Sequence, residues 1–281
     1  MSFLLDPLAH AFFLRAIAAA IIVGTVCAVV GTYVVLKGLA FIGDAISHAA
    51  FPGIVLAFIL KGPFLLGAGI AALVTALGIG IVSRRARIRT DTTIGVLFAG
   101  TFALGIFLFS TVEGYVADLF SFLFGYLLST TIEDLVGLAV LGAFVLAVVG
   151  LFWKELLYAT FDPLGAAASG LRVGWLESLF LALVAVTIVI SLQAVGIILV
   201  VAMLVTPAAT AQLLTVRFGR MMGLAVVVGI GASVVGLYLS FWLDAASGAT
   251  IVLVETACFL VALVAGPRTG LLSRRRAAAA A

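Results

Sequence analysis

Two side chains near the start of the second apolar segment have the chemistry to bind a metal ion. Asp44 and His48 stand four residues apart in the run from Gly43 to Gly53, so both lie on one face of a helix. A carboxylate oxygen and an imidazole nitrogen on one face form half of a site for a divalent transition metal. Helical rise counted from Gly38, just after Lys37, places them about 9 and 15 Å into an apolar slab of about 30 Å.

The neighbours of this pair bear on the same site. Pro52 and Gly53 are expected to break or kink the helix and to free backbone carbonyls beside the pair. Small residues, Ser47 among them, leave room for a pathway. Two other interpretations stay open: Asp44 and His48 form a hydrogen bond that only locks two helices together, or they form a step of a proton relay.

Three further acidic residues are weaker candidates for metal ligands. Glu255 lies inside the last apolar segment, where an ionisable side chain needs a partner that the sequence does not identify. Glu113 and Asp118 lie in a loop before a short apolar piece, either as an entry vestibule or as ordinary solvated charges. His10, the other histidine, precedes the first apolar segment and is expected to be a surface residue.

Composition indicates that membrane-spanning helices position these residues. Hydrophobic residues make up 65% of the 281 and charged residues 10%, against about 25% charge in a soluble domain. A crossing takes about 20 residues, which predicts an all-α, polytopic bundle of about nine spans without a sizeable soluble domain. The nine segments lie near residues 12–36, 40–60, 63–82, 93–111, 133–152, 174–192, 195–215, 220–242 and 250–266. A tenth piece, 118–129, is too short to cross and predicts a re-entrant helix.

The lysines and arginines predict the orientation of the bundle. With the N-terminus outside, all 15 of them except Arg15 and Lys61 fall in inside loops, as the positive-inside rule requires. We therefore expect an N-out, C-in topology, and we interpret the basic loops as orientation signals rather than as a nucleic-acid surface. Residues 1–272 form a single transmembrane domain, and the Ala-rich residues 273–281 are expected to form a disordered cytoplasmic tail.

The longest inside loop, about residues 153–173, carries its own helix signals. Asp162 and Pro163 form a good helix start, and Gly170 a good stop, which predicts a helix of about two turns around Gly165. This is either an ordinary loop helix or a docking helix for a motor protein. No GxxxxGK[ST] phosphate loop occurs in the sequence, so ATP-driven transport would need an ATPase on another chain.

Several stretches resemble the membrane permease subunits of metal-ion ABC importers, the family for manganese, zinc and iron. The stretches are residues 31–53, which are the most specific, and residues 120–128, 161–163, 202–212 and 247–252. The closing residues 265–272 look more like the manganese and iron members. The resemblance implies a permease of the bacterial cytoplasmic membrane that works as a homodimer, with the pathway at its axis.

The resemblance also implies partners and roles. Nucleotide-binding ATPase subunits would dock on the loop of Asp162, and an extracytoplasmic metal-binding protein would deliver the ion. The metal-contacting Asp and His of the family correspond to Asp44 and His48, and Pro207 and Thr210 would line the pathway beside them. The metal is the cargo, and no permanently bound cofactor is expected.

The ligand chemistry favours manganese as the cargo. Zinc sites favour several nitrogen or sulfur ligands, whereas this chain offers one intramembrane histidine, and an oxygen-rich site suits manganese. Such a site would still bind zinc tightly, so selectivity is expected to lie partly in the delivery protein. The alternatives are an ABC permease for a metal chelate such as a siderophore or cobalamin, a proton-coupled secondary carrier, and a membrane scaffold without transport activity.

Overall fold

The computed structural model describes residues 6–112 and 127–266, and in this part of the chain it contains ten α-helices and no strand. The helices are α1 (Ala11–Leu36), α2 (Ile42–Ile59), α3 (Phe64–Ala86), α4 (Thr90–Ser110), α5 (Ile132–Leu151), α6 (Trp153–Phe161), α7 (Pro163–Ala168), α8 (Val173–Leu214), α9 (Phe218–Leu243) and α10 (Ser247–Ala265). Eight of these are long and apolar enough to cross a membrane. The prediction of an all-α polytopic bundle is therefore confirmed.

Two predicted segments lie wholly or mostly beyond the described residues. Of the predicted re-entrant helix at 118–129, the structure describes only the last turn, a 3-10 helix at Leu127–Ser129. The predicted tail at 273–281 lies outside the described part altogether. Both stay predictions.

Helix α8 takes the place of two of the nine predicted segments. Its 42 residues would measure about 63 Å if straight, roughly twice the hydrocarbon thickness of a bilayer. The backbone leaves the helical conformation at Gly196, with φ 80° and ψ 169°, a combination that glycine adopts readily. The predicted segments 174–192 and 195–215 therefore meet at one glycine without an intervening loop. This junction accounts for eight long helices where nine segments were expected.

All lysines and arginines of the described residues except Arg15 and Lys61 gather at one end of the bundle, which we call the basic end. They lie in the turns and helix termini at Lys37, Arg84, Arg85, Arg87, Arg89, Lys154, Arg172, Arg217 and Arg220. Lys37 lies 5.5 Å from the centroid of the Phe180 ring. Burial lowers the pKa of Lys37, and the nearby Glu177 carboxylate partly offsets this change.

The first half of α8 runs away from the basic end. Near its start, Glu177 Oε2 accepts a hydrogen bond from Arg84 Nη1 at 2.9 Å, which joins it to the end of α3. Near its finish, Gln193 Nε2 donates to Asp134 Oδ1 at 3.0 Å, in the first turn of α5. These two contacts lie at opposite ends of the bundle.

The second half of α8 returns to the basic end. Just beyond the break, Leu199 packs against Gly248 in the first turn of α10, far from the basic end. Helix α8 ends at Leu214, and Phe218 at the start of α9 packs against Tyr33 in the last turn of α1, with ring centroids 5.0 Å apart. Helix α8 contacts α1, α2, α3, α5, α9 and α10, so it forms the centre of the bundle.

Close backbone approaches fix α2 between its neighbours. A β-carbon at Gly53 or Gly67 would collide with the carbonyl oxygen of the other, so α2 and α3 are in backbone contact. On the other side, a β-carbon at Gly105 of α4 would lie 2.6 Å from Phe51 Cδ1. Glycines at such crossings are typical of membrane helix packing.

Helix α2 is continuous through Pro52. Of the break or kink predicted at Pro52 and Gly53, the break does not occur, since the helix runs on to Ile59; the kink stays a prediction. Proline nevertheless has no N–H, so the carbonyl of His48 lacks the donor that residue 52 would normally provide. One backbone carbonyl, rather than a broken turn, is therefore left beside the Asp44–His48 pair.

The packing of α1 against α8 provides a test of this architecture. A β-carbon at Gly31 would collide with the carbonyl oxygen of Leu204, so Gly31→Ala forces the two helices apart and is expected to cost about 1–3 kcal/mol. Gly137→Ala is the matched control, because no atom lies within 4 Å of its added methyl group. We expect a lower thermal unfolding midpoint in detergent for Gly31→Ala only, and equal midpoints for the two variants would contradict a close crossing of α1 and α8.

Candidate metal site

A cavity of about 1050 Å³ lies between α2, α4, α8 and the start of α10. Most of its wall is apolar, with Phe102 of α4 and Ile198 of α8 as examples. Among the described lining residues, only Asp44, His48 and Ser247 carry polar side-chain atoms. A cation in this cavity therefore meets one carboxylate and one imidazole.

The geometry of Asp44 and His48 suits chelation of a single ion. Asp44 Oδ1 and His48 Nε2 lie 3.4 Å apart, and the side chains are 47% and 28% exposed. Two ligand atoms at about 2.1 Å from a metal ion and this far apart subtend an angle of roughly 105°, near the tetrahedral value. The separation of the two atoms is therefore compatible with binding to one ion.

The pair lies nearer to the basic end than the sequence estimate implied. That estimate counted helical rise from Gly38, whereas α2 begins at Ile42 after a turn. Asp44 and His48 are thus only about 3 and 9 Å along the helix from its first residue. Asp44 lies in the first turn, where the helix dipole favours a negative charge.

Aromatic rings surround His48, and they were not predicted from the sequence. The imidazole centroid lies 5.4 Å from the Phe98 ring and 5.1 Å from the Phe102 ring, both on α4. Spacing of four residues between two phenylalanines in one span was the available signal. It did not identify His48 as their neighbour, because that contact depends on how α4 packs against α2.

The three predicted pathway residues lie away from this cavity. Ser47 is fully buried, and its hydroxyl donates to the Gly43 carbonyl at 2.8 Å. Pro207 is buried beside Gly229 of α9. Thr210 is 2% exposed and donates to the Thr206 carbonyl. Their role in a pathway stays a prediction.

Glu255 has no hydrogen-bonding partner among the described residues. It is fully buried, and neither carboxylate oxygen has a partner. Cys27 of α1 is one described polar neighbour of Glu255, and Cys27 Sγ lies 3.8 Å from Ser191 Oγ of α8. These groups come from three helices and do not line the cavity. The other two weaker candidates, Glu113 and Asp118, lie outside the described residues.

The ligands of a complete metal site are not all present on the described residues. In residues 6–112 and 127–266, no group of three or more His, Cys, Asp and Glu side chains is arranged to hold a metal ion. Asp44 and His48 therefore account for at most two ligands of any site in this part of the chain.

The predicted docking helix is the short helix α7. The Asp162 carboxylate caps its start, since Oδ1 accepts a hydrogen bond from the Gly165 backbone N–H at 2.8 Å. The helix begins at Pro163, ends at Ala168 and is followed by Gly170 with φ 90°. A β-carbon at Gly165 would collide with the Asp162 carboxylate, so both ends of α7 depend on the residues named from sequence.

Comparisons with known proteins agree with this arrangement. A model of the ABC 3 transport family matches residues 9–266. The chain is 43% identical to the manganese transport system membrane protein MntC of Halalkalibacterium halodurans, over 98% of this chain and 94% of that protein. It is 41% identical to the chelated iron transport system membrane protein YfeD of Yersinia pestis, over 94% and 88% respectively. The structure of PsaBC from Streptococcus pneumoniae in complex with Fab matches with a TM-score of 0.85 and 36% identity, over 98% of this chain and 99% of that chain.

The unpaired state of Glu255 can be tested by its replacement. An unpartnered carboxyl in a buried position carries a desolvation penalty of about 1–3 kcal/mol or more. We expect Glu255→Leu to raise the thermal unfolding midpoint in detergent. Glu255→Gln, which keeps the size and an unpaired polar group, is the control and should change the midpoint less. A marked loss of stability in Glu255→Leu would mean that the carboxyl has a stabilising partner.

Proposed function

Because the chain belongs to the ABC 3 transport family, we propose that it conducts manganese through the bacterial cytoplasmic membrane by way of the Asp44–His48 site. It is a multi-pass membrane permease subunit of a metal ABC transporter, and a separate partner protein hydrolyses ATP. Membership in this family leaves no place for a proton-coupled secondary carrier or a scaffold without transport activity.

One observation carries the proposal of the metal site. Asp44 and His48 are the ionisable side chains among the described residues that line the cavity, and their ligand atoms lie 3.4 Å apart. An interhelical lock would place one partner on another helix, whereas both residues lie on α2 and open on the cavity. Ionisable groups at such a position in a membrane protein mark the path of an ion.

Manganese is the proposed cargo for two reasons. The curated relative described above with 43% identity is named for manganese transport, and the pair joins an oxygen ligand to a single nitrogen ligand. Carboxylate and water oxygens suit manganese, while zinc binds more tightly to almost any such site. Selectivity against zinc is therefore proposed to come largely from the protein that delivers the ion.

The proposed topology has nine crossings with the N-terminus outside. The contacts of α8 at both ends of the bundle support two crossings that meet at Gly196. With the basic end inside, the described lysines and arginines of the inner turns obey the positive-inside rule. Helices α6 and α7 then lie in the cytoplasm, where an ATPase subunit can reach them.

A homodimer completes the proposed site. Two ligands per chain fall short of the four to six that a divalent transition metal takes, and Asp44 is half exposed in the single chain. A second copy facing this side would add its own pair, and an extracytoplasmic metal-binding protein would deliver the ion to the opposite end of the cavity.

Contacts at the basic end provide a route from the ATPase to the site. Trp153 and Phe161 of α6 pack against Phe218, with ring centroids 5.1 and 6.4 Å apart, and Phe218 packs against Tyr33. Tyr33 stands just before the Lys37 turn that leads into α2. Movement of α7 and α6 is therefore passed to the helix that carries the metal pair.

A metal chelate is the second candidate cargo, because the cavity is large enough for one. Its volume of about 1050 Å³ is at the upper end of the range for sites that bind organic molecules. Against this, an apolar chelate has no use for a carboxylate and an imidazole at the end of its path. The two candidate cargoes are distinguished by comparing the uptake of free manganese with the uptake of a manganese–siderophore complex.

Uptake measurements test the metal site directly. We expect Asp44→Asn and His48→Ala each to reduce uptake of radioactive manganese by cells roughly tenfold or more, because each removes one of two ligands. His10→Ala and Asp91→Asn are matched controls. His10 is the other histidine of the chain, and Asp91 lies, like Asp44, in the first turn of a long helix.

All four variants are first checked for membrane insertion and for binding of the ATPase. Uptake at the wild-type rate in both Asp44→Asn and His48→Ala would refute the assignment of the site. Loss of uptake in the controls as well would point to a general defect rather than a lost ligand.

The proposed docking helix makes a separate prediction. Asp162→Ala removes the cap of α7, at a cost of about 1 kcal/mol to that helix, and we expect less ATPase to co-purify with the permease. Lys154→Ala changes an exposed charge in the same cytoplasmic region and serves as the control. Equal recovery of ATPase with Asp162→Ala and with the wild type would argue against docking at α7.

A further inference from the structure

The two phenylalanines beside His48 have a geometry that goes beyond ordinary core packing. Phe98 and Phe102 lie one turn apart on α4, and their rings are stacked, 6.0 Å apart with an angle of 10° between the planes. The imidazole of His48 stands across both rings, at 64° to Phe98 and 74° to Phe102. One histidine thus makes two edge-to-face contacts with a preformed pair of parallel rings.

We propose that Phe98 and Phe102 are positioning residues that hold the His48 imidazole in the orientation that binds the metal. The inference rests on the proposed function, since it concerns the same site. Its new content is that metal affinity depends on side chains that offer no ligand atom. Neither ring touches the ion through a lone pair, so both act through His48.

The backbone contact between α2 and α4 places the rings. Gly105, one turn beyond Phe102, lies against Phe51 and Pro52 so closely that a methyl group would be 2.6 Å from Phe51 Cδ1 and 3.0 Å from Pro52 Cδ. This contact fixes the distance between the helices just beyond His48. The rings therefore meet the imidazole at a set separation rather than by adjustment of a mobile helix.

The imidazole needs such support because little else restrains it. Its Nε2 lies 3.4 Å from Asp44 Oδ1, which is longer than a good hydrogen bond. His48 also faces an open cavity, where it would otherwise sample other rotamers. Each edge-to-face contact favours one orientation about 2- to 12-fold, so removal of both rings is expected to weaken metal binding by roughly 4- to 150-fold.

This inference is tested by measuring manganese affinity. The full-length permease, purified together with its ATPase, is titrated with manganese chloride alone. We expect Phe98→Leu and Phe102→Leu each to weaken manganese binding by about 2- to 12-fold, and the double variant by more. Phe98→Tyr and Phe102→Tyr keep the rings and should retain affinity close to that of the wild type. Phe107→Leu is the matched control, because it is the same change on an exposed position of the same helix.

A second measurement reads the contact itself. In a His10→Ala background, His48 is the one histidine left in the chain, so the NMR signal of a labelled imidazole reports on this ring alone. Two flanking rings shift the imidazole proton signals. We expect this shift to be lost in the leucine variants and retained in the tyrosine variants and in Phe107→Leu.

The outcomes separate this inference from the function on which it rests. Suppose that His48→Ala abolishes manganese binding, while the double leucine variant keeps wild-type affinity and an unchanged imidazole signal. This result would overturn the role of the rings and leave the assignment of the metal site intact. Wild-type affinity in His48→Ala would overturn both. Phe107→Leu or the tyrosine variants could also lose as much affinity as the leucine variants. That result would indicate a general packing defect and would overturn the role of the rings.

Discussion

The cost of placing an ionisable side chain inside an apolar bundle is the constraint on which the rest of this structure depends. Asp44 and His48 meet it by lying together on one helix and opening on a cavity. The pair brings a carboxylate into a largely apolar wall, and under the proposed function a divalent cation would supply the positive charge that this wall lacks. Glu255 carries the same cost, and its carboxylate has no hydrogen-bonding partner among the described residues. Unlike Asp44 and His48, it does not line the cavity.

Helix placement in this protein relies on small residues more than on polar contacts. Gly53 and Gly67 bring α2 and α3 into backbone contact, and Gly105 lets α4 lie close against the Phe51 side chain and Pro52 of α2. Between lipid and helix there is no difference in polarity to drive such contacts, so close fit has to supply the stability. The same fit determines which side chains meet across the cavity, and it thereby links helix packing to the chemistry of the site.

Much of this architecture could be predicted from the sequence because the signals are local. Long apolar runs indicate spans, short basic turns indicate one end of the bundle, and a spacing of four places Asp44 and His48 on one face whatever the rest of the chain does. The junction at Gly196 could not be predicted, since a single glycine carries no mark that distinguishes a reversal from a packing contact.

Features that depend on tertiary packing could not be predicted either. The sequence did not show that the hydroxyl of Ser47 would donate to the carbonyl of Gly43 in its own helix. Phe102 and the neighbours of Glu255 belong to contacts between helices distant in sequence. Such contacts follow from crossing angles and close approaches, which no residue spacing within one segment encodes.

The junction at Gly196 has a mechanical consequence. The first half of α8 starts just after α7, at the basic end, and its last residues reach the cavity wall at Val195. At about 1.5 Å per residue this half is a rod of roughly 35 Å, so a tilt of about 5° at its base displaces its tip by about 3 Å. A displacement of this size is comparable to the size of a metal ion together with one of its ligand atoms. A glycine at the tip lets the returning half keep its own direction, so a small rotation at the basic end would change the width of the cavity near Val195.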